Sequence, residues 1–241
     1  MNQLLEQIYK TGYVEDCEGN FINPFPTATP YDTGVLLSQI VRQYNLQRTL
    51  EVGMAYGLST LFICQAHYDK GIGSHTAIDP FQNKQNKKWK SIGLLNIKRA
   101  GLEEKLRFFE ASSYEVLPEL LKRKETFDFA FIDGSHLFDY VLIDFFYIDK
   151  LLQVGGYIAF DDVWMPAVRK VLTFILRNKS YELVKLNTKV NFFKRVGRIT
   201  RRFLQNPLEQ DSAKIKFTAE NICLLKKLST DSRKWDFHRS F

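Results

Sequence analysis

Two short stretches of this chain place acids directly after apolar runs, and catalytic chemistry is to be sought there first. The run Phe127-Asp128-Phe129-Ala130-Phe131-Ile132 delivers Asp133-Gly134-Ser135-His136, and Gly156-Tyr157-Ile158-Ala159-Phe160 delivers Asp161-Asp162. If both runs are neighbouring strands of an open α/β sheet, their carboxyl ends face one crevice, where Asp133, Asp161 and Asp162 converge. Carboxylates gathered without a counter-charge repel one another. A hard divalent cation such as Mg²⁺ relieves that repulsion and suits a set of oxygen donors. The plainer alternative has Asp133 capping the next helix, His136 bonded to Asp133 at the helix start, and Asp161 and Asp162 solvated.

A third stretch, Glu51-Val52-Gly53-Met54-Ala55-Tyr56-Gly57-Leu58-Ser59-Thr60, reads as a strand, a glycine turn and a helix start. That arrangement offers backbone N–H groups to a nucleotide. A dinucleotide fingerprint needs glycine where Ala55 and Leu58 stand, so an NAD site is poorly supported. The next strand ends in Asp79, which is either placed to accept from both ribose hydroxyls of an adenosine or is a solvated loop aspartate before Pro80. Ser112 and Ser113 follow the third strand, as an adenine contact or as a helix N-cap.

The spacing Glu51-x-Gly53-x-Ala55-x-Gly57, with Asp79 beyond it, resembles the first motif of class I S-adenosylmethionine-dependent methyltransferases. With IDGSH and GGYIAFDDVW added, the resemblance narrows to the metal-dependent O-methyltransferases. It is closest to the branch that methylates sugar hydroxyls of macrolide and related antibiotics, with catechol-type enzymes as more distant kin. The latter place Asn where Asp162 stands, so the chain departs from them there. The resemblance covers roughly residues 30–185, the terminal strand and the tail Arg233–His238. It implies S-adenosylmethionine and a divalent cation as cofactors, and methyl transfer to a hydroxyl of a small molecule, a sugar or a phenolic natural product. The residues it implies are Asp133, Asp161 and Asp162 for the metal, and His136 with Asp133 for catalysis. For the cofactor they are Glu51, Gly53, Ala55, Gly57, Ser59, Asp79, Ser112, Ser113 and Asp133. The physical logic agrees. A sulfonium methyl is already electrophilic, so alignment and removal of the acceptor's proton are what remain to be supplied, and an imidazole beside a cation-bound hydroxyl can take that proton.

These residues require a particular scaffold. Short β-rich runs near 49–53, 75–79, 105–109, 127–132 and 156–161 alternate with helical stretches, followed by Tyr181–Leu186 and Asn221–Lys226. The pattern predicts an α/β fold of Rossmann-like class I type, a seven-stranded, mostly parallel sheet with helices on both faces and an antiparallel last strand. Helices are expected at Leu58–His67, Tyr114–Lys122, Leu137–Leu152, ended by Gly155-Gly156, and 166–178. Residues 1–45 read as a helix, a proline-punctuated loop and a helix from Thr33 to Tyr44. They form a flank or lid on a methyltransferase domain at 46–241.

Length and composition, 241 residues with 45% hydrophobic side chains and 20 Phe, supply a sizeable core and argue against disorder. Nine basic residues against Glu209 and Asp211 between Lys185 and Lys216 account for the whole net charge of +7. That segment, an insertion at 187–219, carries Phe192, Val196, Ile199 and Phe203 at helical spacing, with arginines toward another face. Neither an Asp-Pro-Pro-Tyr motif after the fourth strand nor a Pro-Cys nucleophile is present, which disfavours a nucleic-acid substrate. Cys17, Cys64 and Cys223 form no CxxC pattern, and no apolar run is long enough to span a bilayer. A cytoplasmic location is expected, and aromatic-rich flanks suggest a homodimer. Two further readings stay open, a metal-independent methyltransferase on the same fold and a non-catalytic module that binds through the basic helix.

Overall fold

The computed structural model describes residues 2–82, 89–186 and 221–241, with Gly197 and Thr200. The basic helix expected within 187–219 lies outside the described residues, those two positions apart. In chain order the elements are α1 (Gln3–Thr11), β1 (Val14–Glu15), β2 (Phe21–Ile22), α2 (Tyr31–Gln43), β3 (Arg48–Val52) and α3 (Leu58–Lys70). There follow β4 (Ser74–Ile78), α4 (Ile92–Arg99), β5 (Leu106–Phe109), α5 (Ser113–Lys122) and β6 (Phe127–Ile132). The last are α6 (Phe138–Leu151), β7 (Leu152–Phe160), α7 (Pro166–Asn178), β8 (Tyr181–Leu183) and β9 (Cys223–Lys227). Seven strands form a sheet in the order β5-β4-β3-β6-β7-β9-β8, and β1 pairs only with β2. β4 is parallel to β3 and β5, whereas β9 is antiparallel to β7 and β8. The α/β class, the seven strands and the antiparallel last strand are as expected.

The chain divides into two compact units, Met1–Phe129 and Ala130–Phe241. In the first, α3 is buried around most of its circumference, from Leu58 through His67, so it shows no polar face. α2 packs closely on it. A Cβ added at Gly34 would lie 2.1 Å from the Phe62 ring, so only glycine lets the two helices approach this far. Gly34→Ala should therefore lower stability by about 1–3 kcal/mol through overpacking. Thermal melting checks this, and an unchanged midpoint would show that the Phe62 ring can move aside.

The N-terminal flank shares this unit's core: Leu5, Ile8 and Val14 pack in one cluster with Leu58, Leu61 and Phe62. Asn2 caps α1, its Oδ1 accepting from Leu4 N–H at 3.0 Å, and Gly12 ends it in the left-handed region at φ 80°. α2 starts at Tyr31, two residues earlier than the expected Thr33, because Pro30 serves as its N-cap. The β1–β2 hairpin was not expected. Its strands have two residues each, too few to show a period, and its turn is held by Asp16 Oδ1, which accepts from the N–H groups of Glu18 and Asn20 at 2.9 Å.

In the second unit, β7 runs straight through Gly155-Gly156, the pair read as a helix stop. α6 ends at Leu151, and Leu152 already has extended backbone at φ −80°, ψ 125°. The glycines therefore lie inside the strand, with Gly155 at φ 85°. Behind the sheet end sits a buried ionic cluster. Asp149 on α6 accepts from Lys179 Nζ and from Tyr181 Oη, each at 2.8 Å, and Lys227 Nζ lies 3.3 Å from its Oδ1. Lys227 also donates to the carbonyl of Asp149 and, at 3.0 Å, to that of Leu152. Burial raises the Asp149 carboxyl, but the two ammonium groups and the tyrosine outweigh it and hold it below the ordinary carboxylate value.

Candidate active site

The glycine turn after β3 takes left-handed backbone at Gly53 (φ 90°), Ala55 (φ 46°) and Gly57 (φ 76°). For Ala55 this costs about 1–2 kcal/mol, which surrounding bonds must offset. They are supplied by three side chains. Asp79 Oδ2 accepts from Met54 N–H at 3.0 Å and Ala55 N–H at 2.9 Å, and its Oδ1 accepts from Phe81 N–H at 2.8 Å. Gln82 Nε2 donates to Ala55 O at 2.6 Å, and Asn96 Nδ2 to Tyr56 O at 3.0 Å. Asp79 is only 4% exposed, so it is no solvated loop residue. Of the roughly four lone-pair positions of its carboxylate, three are engaged with the protein's own amides. Gln82 and Asn96 escape sequence reading, because nothing in their spacing announces a partner in the turn.

α3 opens at Gly57 without a side-chain cap, and Leu58 and Ser59 are both buried. A buried, uncapped helix start leaves amide N–H groups for an anion, such as the carboxylate of a bound amino-acid moiety. The turn and the helix start thus fit the methionyl end of S-adenosylmethionine.

Glu51, expected as a cofactor contact, lies fully inside the protein. Its Oε2 accepts from Thr60 Oγ1 at 2.5 Å and lies 3.1 Å from His75 Nε2. His75 Nδ1 is 2.9 Å from Thr49 Oγ1, which is 2.8 Å from His67 Nε2. All five side chains are buried, and burial pushes His67 down to about 3, so its ring is neutral near pH 7. Glu51 therefore fastens β3 to α3 and β4 beneath the turn. Thr49 and Glu51, two apart on a strand, share a face, and this pair was the signal that could have revealed the row. Ser112 caps α5 in a reciprocal box, its N–H donating to Glu115 Oε2 at 3.1 Å, which realises the helix-cap alternative, and Ser113 is the first helical residue.

In the second unit, donor atoms of Asp133, His136 and Asp162 lie within 4.8 Å of one another, all on half-buried residues. β6 delivers the first, the loop before α6 the second, and the end of β7 the third. His136 Nε2 is 3.0 Å from Asp162 Oδ2, while Trp164 Nε1 donates to Asp162 Oδ1 at 2.7 Å. Asp162 sits in the left-handed region at φ 51°, a strained position for a residue with a side chain. Burial raises its carboxyl, but hydrogen bonds from His136, Asn221 and Trp164 prevail and lower it. Asp161, expected with Asp133 and Asp162 as a metal ligand, lies beside this group. Asp161 is 6% exposed, its Oδ1 accepts from Asn221 Nδ2 at 3.1 Å, and burial with the neighbouring Asp162 charge pushes it up to about 6. Two carboxylates and an imidazole are a donor set that a divalent cation can use.

Residues 50–163 match a protein family described as a methyltransferase domain. The matched residues include the glycine turn, Asp79, Asp133, His136 and Asp162. A caffeoyl-CoA O-methyltransferase of Populus kitakamiensis is 34% identical to this chain over 151 residues, covering 59% of the chain and 58% of the relative. A flavonoid 3',5'-methyltransferase of Vitis vinifera is 31% identical over 147 residues, covering 58% of each. The chain thus spans under two thirds of the length of these curated relatives. The likeness of fold extends further than the likeness of sequence. The structure of the O-methyltransferase TomG of Streptomyces achromogenes, in complex with S-adenosylmethionine, superposes with a TM-score of 0.64 at 16% identity, covering 95% of this chain and 91% of that one.

Proposed function

We propose that this chain transfers the methyl group of S-adenosylmethionine to a hydroxyl oxygen of a small molecule, with a divalent cation at Asp133 and Asp162. The observation that carries this reading is the convergence of Asp133, His136 and Asp162 at the end of β6 and β7 in a methyltransferase domain. A bound cation supplies charge that lowers the pKa of a coordinated hydroxyl. His136 takes the acceptor's proton at a ring nitrogen that carries none, which is Nε2 only once its contact with Asp162 Oδ2 is released and the ring proton sits on Nδ1. The turn from Gly53 to Gly57 and the amides of Leu58 and Ser59 receive the methionyl end, and Asp79 directs its one remaining lone-pair position to the ribose. Caffeoyl and flavonoid groups are phenols, so the relatives favour a phenolic acceptor over a sugar. Residues 1–45 act as a flank of the cofactor unit. Among the described residues no helix is long and apolar enough to cross a membrane, and the three cysteines form no disulfide, which supports a cytoplasmic enzyme. The exposed Phe138, Tyr140 and Phe146 on α6 support a homodimer.

Calorimetric titration with S-adenosylhomocysteine, without and with Mg²⁺ or Mn²⁺, tests both cofactors together. Binding with a separate metal-dependent heat is expected; absence of either heat removes that cofactor from the reading. In the same assay Asp79→Asn should weaken S-adenosylhomocysteine by about 10- to 100-fold, because the new amide sets N–H groups against those of Met54 and Ala55. Affinity within twofold of the parent would release Asp79 from the cofactor site.

A further inference from the structure

Asn221 stands two residues before β9, and its side chain lies between the adjacent aspartates. Nδ2 is 3.1 Å from Asp161 Oδ1 and 3.2 Å from Asp162 Oδ1, while its backbone carbonyl accepts from Val163 N–H at 2.9 Å. The second contact of Asp162 Oδ1 is Trp164 Nε1 at 2.7 Å. A carboxylate oxygen has two lone pairs, so Oδ1 of Asp162 is fully engaged. Oδ2 remains, and it is the oxygen that meets His136 within the Asp133, His136 and Asp162 group.

We infer that Asn221 is a positioning residue that locks Asp162 so that it offers a cation one oxygen, Oδ2, and that Trp164 completes the lock. The inference rests on the metal-assisted reading above. Two features make a lock necessary. Asp161 and Asp162 are consecutive like charges, and a carboxylate free to rotate would present either oxygen or both. A shared amide donor offsets their repulsion and fixes both planes at once. Asn221 reaches them because its own backbone is pinned to Val163, one residue beyond the pair. Partners that orient ligating carboxylates in this way typically carry a 10- to 100-fold share of metal affinity.

The test uses the full chain with Mn²⁺ as the probe, its affinity read by electron paramagnetic resonance, alongside S-adenosylhomocysteine affinity and the melting temperature of metal-free protein. Asn221→Leu keeps the volume and removes the donor. Mn²⁺ affinity should fall about 10- to 100-fold, with S-adenosylhomocysteine affinity unchanged and kcat reduced while KM for the methyl donor holds. Asn221→Gln, which retains an N–H donor, should recover part of the loss. A folded N221L that binds Mn²⁺ within twofold of the parent overturns the inference. Should the parent itself bind no Mn²⁺, the metal-assisted reading falls instead. If N221L does not fold, Trp164→Phe removes the other Oδ1 donor and is expected to weaken Mn²⁺ in the same direction; unchanged affinity there also overturns the lock.

Discussion

Replacing His136 by alanine is expected to lower kcat about 10²- to 10⁴-fold, the range that a positioned proton acceptor contributes, while S-adenosylhomocysteine affinity stays where it was. The imidazole is the only nitrogen base in the group it forms with Asp133 and Asp162, and its Nε2 is held 3.0 Å from Asp162 Oδ2. Among the described residues the glycine turn is held by Asp79, Gln82 and Asn96. The deficit should shrink as pH is raised, since hydroxide can substitute for the missing base, and added imidazole should restore part of the rate. A variant with near-parental kcat would remove His136 from proton transfer. A variant that loses Mn²⁺ affinity along with kcat, and that imidazole does not rescue, would show the ring to be a ligand to the cation instead.

Asp149→Asn is expected to cost about 3–5 kcal/mol in urea unfolding, because it removes the carboxylate that, among the described residues, both lysines share and leaves their charges buried. The side chains of Asp149, Lys179 and Lys227 are 7%, 10% and 5% exposed. Solvent therefore cannot take over the role of the carboxylate. Lys179 keeps a second partner in Asp231 at 2.6 Å, but Lys227 keeps only the carbonyls of Asp149 and Leu152. The pH dependence has a definite sign. The folded-state carboxyl is held below its unfolded value of about 3.9, so its contribution is complete above that value and is lost as pH falls through the folded-state one. The parent should lose stability steeply below about pH 4, and the variant should lack that component. A destabilisation under about 1 kcal/mol would mean that water reaches the cluster.

Much of the scaffold was legible from periodicity. Phe127–Ile132 is a run of residues buried on both faces, and only a central strand of a covered sheet has that pattern. The acids at its end and after Phe160 follow from the same logic, since strands of a parallel sheet release their ligand-binding residues at the carboxyl ends. Boundaries were less legible where two signals competed. Gly155-Gly156 resembles a helix stop, yet α6 already ends at Leu151 and the extended backbone of β7 begins at Leu152, ahead of the glycines.

The sequence by itself determined which residue types sit at the strand ends: the small residues of the turn, Asp79, Asp133, the Asp161-Asp162 pair and His136. It did so because those positions are fixed by an alternation of apolar runs and turns that local chemistry enforces. Only the tertiary structure decided their partners. Asp79 grips the turn's amides, Glu51 is buried on His75 and Thr60, Asp161 turns to Asn221, and His136 joins Asp133 and Asp162. Most of these pairings join residues far apart in the chain, and a hydrogen bond depends on ångström-scale distances that side-chain type and spacing leave undetermined.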